Sequence, residues 1–164
     1  MRFFFDTEFF DNGAMIYLIS IGIAAEDGRT YYAEFVGKDS SFFKGDEWLR
    51  KNVKPNLIGP IRDRDAVAEE IQYFVGSNPE FWAYVSAYDW VVLNQLYGSL
   101  TQGPKTWPWM ALDTYQLPDF KRYVVKSETP HNALADAIAL RESWSRWRAA
   151  YPDYLLPTDR KPRG

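Results

Sequence analysis

The single histidine of this chain, His131, stands five residues before an acid in the run His131-Asn132-Ala133-Leu134-Ala135-Asp136. More than a hundred residues upstream, the apolar run Phe3-Phe4-Phe5 ends in Asp6-Thr7-Glu8, and between the two lies Ala87-Tyr88-Asp89-Trp90. Four acids and one imidazole are the set needed to hold two divalent metals and activate a water. Phosphodiester cleavage requires a nucleophile made from water, in-line geometry and neutralisation of growing charge, and two metals about 3.5–4 Å apart supply all three. Mg²⁺ and Mn²⁺ prefer oxygen ligands, so Asp6, Glu8, Asp89 and Asp136 are the candidate metal ligands. Residues two apart in a strand point to the same face, which pairs Asp6 with Glu8 provided the strand persists that far. The water must also lose a proton. An imidazole with an ordinary pKa of about 6.5 suits that task near neutral pH, and His131 is the sole candidate of its kind.

Each piece also has a plainer reading. Asp-x-Glu is mostly surface charge, because exposed acids are the rule. Asp89 has the residue type of a helix N-cap, and a histidine before a helix is more often structural or exposed than catalytic. Asp136 is harder to dismiss. It interrupts the small, apolar run Leu134 to Ala139, and a buried carboxylate without a partner is costly. A metal would remove that cost.

The elements that must position these residues follow from period and punctuation. Arg2 to Phe5 reads as a buried first strand and Met15 to Ala25 as a second. Asp27-Gly28 marks a tight turn into a third at Thr30 to Val36, making an antiparallel meander. Asp46 to Val53 suggests a short helix broken near Pro55 and Pro60. Arg62 to Val75 carries Ala66, Val67, Ile71, Phe74 and Val75 at helical spacing. Glu80 to Ser86 alternates as a fourth strand. Asp89 to Tyr97 reads as a helix stopped by Gly98. Gly103 to Pro108 is a loop, Met110 to Leu112 a fifth strand, and Asp119 to Pro130 a polar, basic connection. Leu134 to Tyr151 is a long last helix. This order implies one α/β domain, residues 1–151, with a mixed five-stranded sheet flanked by helices. The tail, residues 152–164, is expected to be poorly ordered. The acids fall near strand ends, where open sheets of this kind gather ligands.

Composition sets bounds. The chain has 164 residues, 46% hydrophobic and 25% charged, which suits one globular domain. Aromatics reach 18%, with 7 Trp, 11 Tyr and 11 Phe; core or interface packing is their default role, and base stacking the sharper one. Cysteine is absent, which excludes disulfides and thiolate metal sites. No basic-then-apolar leader opens the chain and no apolar run approaches a membrane span, so a cytoplasmic protein away from the membrane is expected. The net charge of −3 does not suit gripping long duplexes through many phosphates. Any nucleic-acid contact should be short, with metals supplying much of the positive charge.

Taken jointly, Asp6-Thr7-Glu8 after an apolar strand, Asp89 opening a helix after another, and His131-x-Ala133 followed by Asp136 resemble the three motifs of the DEDDh 3′–5′ exonucleases. The resemblance covers roughly Met1 to Tyr151 and is strongest to the small adenylate-preferring exoribonucleases of actinobacteria, the RNase AS type. It implies an RNase H-like fold, two Mg²⁺ ions (or Mn²⁺) on the four acids, and His131 as general base. It further implies single-stranded RNA 3′ ends as substrate, AMP or another 5′-nucleotide as product, and a homodimer. Glu8 would sense the free 3′ hydroxyl, and substrate contacts would extend to Thr7, Phe9 and Phe10. The sequence departs from the family where Phe9-Phe10-Asp11-Asn12-Gly13 replaces Thr-x-Gly and an apolar wedge, leaving open which Phe meets the terminal base. Ser86 stands where many relatives have Asn. Lys121, Arg122 and Lys126 are candidate phosphate contacts or simply a solvated loop. Trp107-Pro108-Trp109 fits a dimer interface or another interaction surface. The alternatives are a DNA 3′–5′ exonuclease, and a catalytically silent RNA- or nucleotide-binding module on the same fold.

Overall fold

The computed structural model describes residues 1–159. Its centre is strand β1, Arg2–Asp11, more than three times as long as the apolar run Phe3-Phe4-Phe5 that announces it. Phe3 and Phe5 alternate with Phe4 across the pleat and enter two separate cores. Beyond Phe5 the strand continues because β2, Ile16–Ala25, stays paired with it as far as Asp11. Charged residues interrupt the hydropathy pattern there, yet pairing continues, with one register shift between Glu8 and Phe9.

β2 pairs antiparallel with β1 and with β3, Thr30–Glu34. On the other side of β1, β4 (Glu80–Ala83) and then β5 (Leu112–Asp113) add in parallel. The sheet order is β3-β2-β1-β4-β5, the mixed five-stranded sheet expected. The helices are α1 (Phe42–Gly45), α2 (Glu47–Asn52), α3 (Arg64–Val75), α4 (Ala87–Gln95) and α5 (Ala133–Ala150). Residues of α3 and α4 join Phe3, Phe5, Ile21 and Ile23 in one core. Residues of α5 join Phe4 and Trp82 in another, built around Trp144 and Trp147. Leu49, Val53 and Leu57 anchor the α2 region in a third, with Ile19 and Phe43.

Two details of this packing position the site. β4 ends at Ala83, not Ser86, because Val85 takes a left-handed backbone (φ 58°). Asp113 captures that turn, its carboxylate accepting from the backbone N–H groups of Val85 (2.9 Å) and Ser86 (3.2 Å). The second detail is Gly22 on β2. A Cβ there would lie 2.3 Å from the backbone of Ala133 and Leu134. Only glycine lets the start of α5 approach the sheet so closely.

The expectation of a poorly ordered tail is corrected over Pro152 to Asp159. Leu156 is fully buried beside Trp147, Tyr154 meets the Trp147 ring edge-on at 5.3 Å, and Arg148 donates to the carbonyls of Tyr151 and Tyr154. The large indole surface of Trp147 supplies the apolar contact that a short polar tail lacks by itself. Residues 160–164 of that tail lie outside the described residues.

Candidate active site

Asp6 and Glu8 sit opposite Gly22 and Ser20 on β2, and the ladder shifts register only after Glu8, between Glu8 and Phe9. Glu8 is therefore still in the strand and shares a face with Asp6. Asp89 comes from the first turn of α4; the cap position is Ser86. Its Oδ1 accepts two hydrogen bonds from Thr7, from the backbone N–H at 2.9 Å and from the hydroxyl at 2.6 Å. Thr7 itself is 5% exposed, so its hydroxyl serves Asp89.

His131 and Asp136 arrive at the start of α5. Asn132 caps the helix, its side-chain oxygen accepting from Ala135 N–H at 3.0 Å. His131 has a left-handed backbone (φ 64°), and its N–H donates to Asp136 Oδ2 at 2.8 Å. Its Nδ1 lies 3.9 Å from Glu8 Oε1. One ligand atom each of Glu8, His131 and Asp136 falls within 4.8 Å of the others.

This convergence is electrostatically unfavourable without a cation. Burial is the main cause that pushes the Glu8 carboxyl up to about 8, with the charges of Asp136 and Asp89 adding. Burial also raises Asp6 well above the usual carboxylate range, helped by Asp89, Glu8 and Asp136. Asp89 is lifted to about 6 by burial, against the Thr7 hydrogen bonds that favour its charged form. Among the described residues, no Lys or Arg forms an ion pair with any of these four carboxylates. A cluster of four carboxylates, Glu8 and Asp89 buried and Asp6 and Asp136 half-buried, with excess negative charge, fits hard divalent cations.

The aromatics beside the acids divide. Phe9 stacks on Tyr88, with centroids 5.5 Å apart and planes 11° from parallel, and Tyr88 is half exposed. Phe10 instead packs against Phe42 and Tyr17. The sequence reading passed over Tyr88; its place immediately before Asp89 was the available signal. Trp48, also passed over, stands edge-on to the His131 ring at 4.8 Å. A cavity of about 200 Å³ opens beside Asp6 and Asp136, walled by Tyr84, Phe120, Ser127 and Leu140. Lys121 lies over the Tyr115 ring and Arg122 pairs with Asp119. Lys121, Arg122 and Lys126 are all exposed.

Comparison with known proteins agrees with this geometry. Residues 1–147 match the family described as the 3′-5′ exoribonuclease Rv2179c-like domain. The chain belongs to that family. It is 38% identical to the 3′-5′ exoribonucleases Rv2179c and MT2234.1 of two Mycobacterium tuberculosis strains, over 100% of this chain and 98% of each relative. In fold it is similar to Escherichia coli exonuclease I in complex with single-stranded DNA, at TM-score 0.66 and 14% identity, covering 93% of this chain. The apo form of exonuclease I matches at TM-score 0.63. The chain spans about two fifths of exonuclease I, 41% in the first of these structures. This member of the Rv2179c-like family is thus a 3′–5′ exoribonuclease whose mixed five-stranded sheet and flanking helices share the fold of exonuclease I. Among its described residues no helix is long and apolar enough to cross a membrane.

Proposed function

We propose that this exonuclease removes 5′-mononucleotides, AMP foremost, from the 3′ ends of single-stranded, adenylate-rich RNA. Asp6, Glu8, Asp89 and Asp136 hold two Mg²⁺ ions, for which Mn²⁺ can substitute, and His131 is the general base. The observation that carries the reading is the meeting of Glu8, His131 and Asp136 within 4.8 Å, beside Asp6 and Asp89, whose charges add to the same cluster. That its Mycobacterium tuberculosis relatives are exoribonucleases supports the substrate class.

Divalent ions bound there would neutralise phosphate charge and acidify the attacking water. Phe9 and Tyr88 offer a flat apolar platform for the terminal base, and Glu8 accepts from the 3′ hydroxyl. Thr7 holds Asp89 in one orientation. His131 takes the proton of the water as its oxygen bonds to phosphorus. The bond from phosphorus to the upstream 3′ oxygen breaks, and that oxygen is protonated from solvent. The products are a 5′-nucleotide and a strand one residue shorter. The enzyme works as a cytoplasmic homodimer, for which exposed Trp109 and Met110, at 72% and 69%, supply apolar contact surface.

The test is cleavage of 3′-hydroxyl oligoadenylate RNA with Mg²⁺, against EDTA, a 3′-blocked strand, other RNA homopolymers and matching DNA. Stepwise release of AMP, abolished by EDTA and by the block, is expected. His131→Ala should lower kcat by about 10²–10⁴-fold, the usual contribution of a general base, while leaving Mg²⁺-dependent RNA binding intact. Asp136→Asn should damage both metal occupancy and cleavage. Full activity in Asp136→Asn, or faster cleavage of DNA than of RNA, would overturn the corresponding part of the reading.

A further inference from the structure

His131 is the residue whose placement is least explained by its own helix. A left-handed backbone disfavours any residue with a Cβ, and such residues persist where their surroundings over-determine them. The surroundings here come from a segment more than seventy residues away in sequence. Asn56 Nδ2 donates to the carbonyl of Pro130 at 2.8 Å, on one side of His131. Asn132 Nδ2 donates to the carbonyl of Asn56 at 3.0 Å, on the other. The turn Pro130-His131-Asn132 is thus gripped from both ends by one residue.

That residue is itself well anchored. Asn56 Nδ2 also donates to Asn52 O, and Asn52 Nδ2 to Trp48 O. Trp48, Asn52 and Asn56 recur every four residues along α2 and the helical turn after it, making one stripe. Trp48 ends the stripe against the imidazole. The adjacent stripe, Leu49, Val53 and Leu57, is buried in the third core. The grip is therefore tied to packed structure.

We propose that Asn56 is a positioning residue for His131, fixing the turn from which the imidazole reaches the attacking water. The inference rests on His131 being the general base. The rival is that these hydrogen bonds merely attach the α2 segment to the fold.

Steady-state cleavage of oligoadenylate by Asn56→Ala, His131→Ala and the double variant separates the two. A misplacement near 1 Å costs about 10²-fold in rate, so Asn56→Ala should lose roughly 10–100-fold in kcat with KM and Mg²⁺ dependence held. In the His131→Ala background the same change should cost less than about 2-fold, because a residue acting through another has nothing left to position. Asn132→Asp keeps the cap oxygen and exchanges the donor to Asn56 for a charged acceptor, so it breaks the grip without uncapping α5; it should lower kcat in the same direction with its melting temperature retained. Equal losses from Asn56→Ala in both backgrounds, or unchanged kcat in Asn56→Ala and Asn132→Asp, would overturn the proposal while leaving the general base standing. Full turnover in His131→Ala would overturn the general-base reading and this inference with it.

Discussion

The two halves of the acidic cluster are held by different means. Asp6 and Glu8 ride an unbroken strand, in register with Gly22 and Ser20 and paired along its length. Asp89 and Asp136 ride the first turns of helices, each entered through a left-handed residue with a side chain, Val85 and His131. Each of those turns is captured from elsewhere, the first by Asp113 and the second by Asn56. The strand half derives its geometry from the ladder that folds the protein. The helix half depends on a few added hydrogen bonds that hold unfavourable backbone in place. Rigid positioning and strained positioning thus meet in one centre, and the strained side carries the histidine proposed as general base.

The largest expected effect comes from the point where the halves touch. Gly22→Ala would drive its methyl group into the Ala133–Leu134 backbone, which would lie 2.3 Å away. Backbone cannot swing aside as a side chain does, so α5 should lift from the sheet and take His131 and Asp136 with it. A loss of roughly 10²-fold in kcat/KM, with a stability loss of about 1–3 kcal/mol, is expected in cleavage assays and thermal melts. Near-normal kinetics in a folded Gly22→Ala protein would mean that the helix half tolerates displacement.

A second test separates the halves by charge. With metals removed by EDTA, Glu8 titrates near 8 instead of its ordinary 4.5, and Asp89 near 6 instead of 3.8. The folded protein therefore holds protons that the unfolded chain releases. This contribution is fully present below the ordinary values and is lost as pH rises, through about 6 for Asp89 and about 8 for Glu8. The melting temperature of the metal-free protein should fall by several degrees between about pH 5 and 8, each kcal/mol being worth about 2–4 °C in a chain of this size. Excess Mg²⁺ should flatten the slope. Glu8→Gln should remove most of the upper part of it, and a metal-free melting temperature that rises over this range would contradict the burial of the strand half.

The smallest effect should come from relieving strain. Val85→Gly, at φ 58°, exchanges an unfavourable left-handed valine for the residue best suited to that conformation. It should leave stability unchanged or raise it by about 1 kcal/mol, with activity within about 2-fold, because Asp113 still accepts from the backbone. A large loss of activity would mean that the valine side chain, half exposed in this structure, does more than fill the turn.

The chemistry of the centre was legible because its residue types are rarely gathered without cause. One imidazole and four acids fell near the strand ends and helix starts of a mixed sheet read from hydrophobic period, and the structure brings those five residues together. What stayed hidden was hidden for physical reasons. The second half of β1 carries charge where a hydropathy pattern looks for alternation. Tyr88 is an aromatic among many, and burial is the default for such a ring. Gly22 sits inside an Ile-rich strand, where nothing local reports that a helix will press on it. Asn56 and Trp48 act on a turn more than seventy residues away, and side-chain hydrogen bonds of that span leave no periodic trace. The packed segment from Pro152 to Asp159 looked loose because its only strong apolar anchor, Leu156, is a single residue.

Seen as a count of available oxygens, the cluster is lopsided. Asp89 has one oxygen saturated by Thr7, and Asp136 has one engaged by the His131 N–H. Asp6 and Glu8 carry no such commitments among the described hydrogen bonds. Cations held by these four acids, as proposed, would draw on the strand for most of their free ligand atoms, so β1 would set where they sit, and the two helices, each with one uncommitted oxygen to give, would tune how tightly.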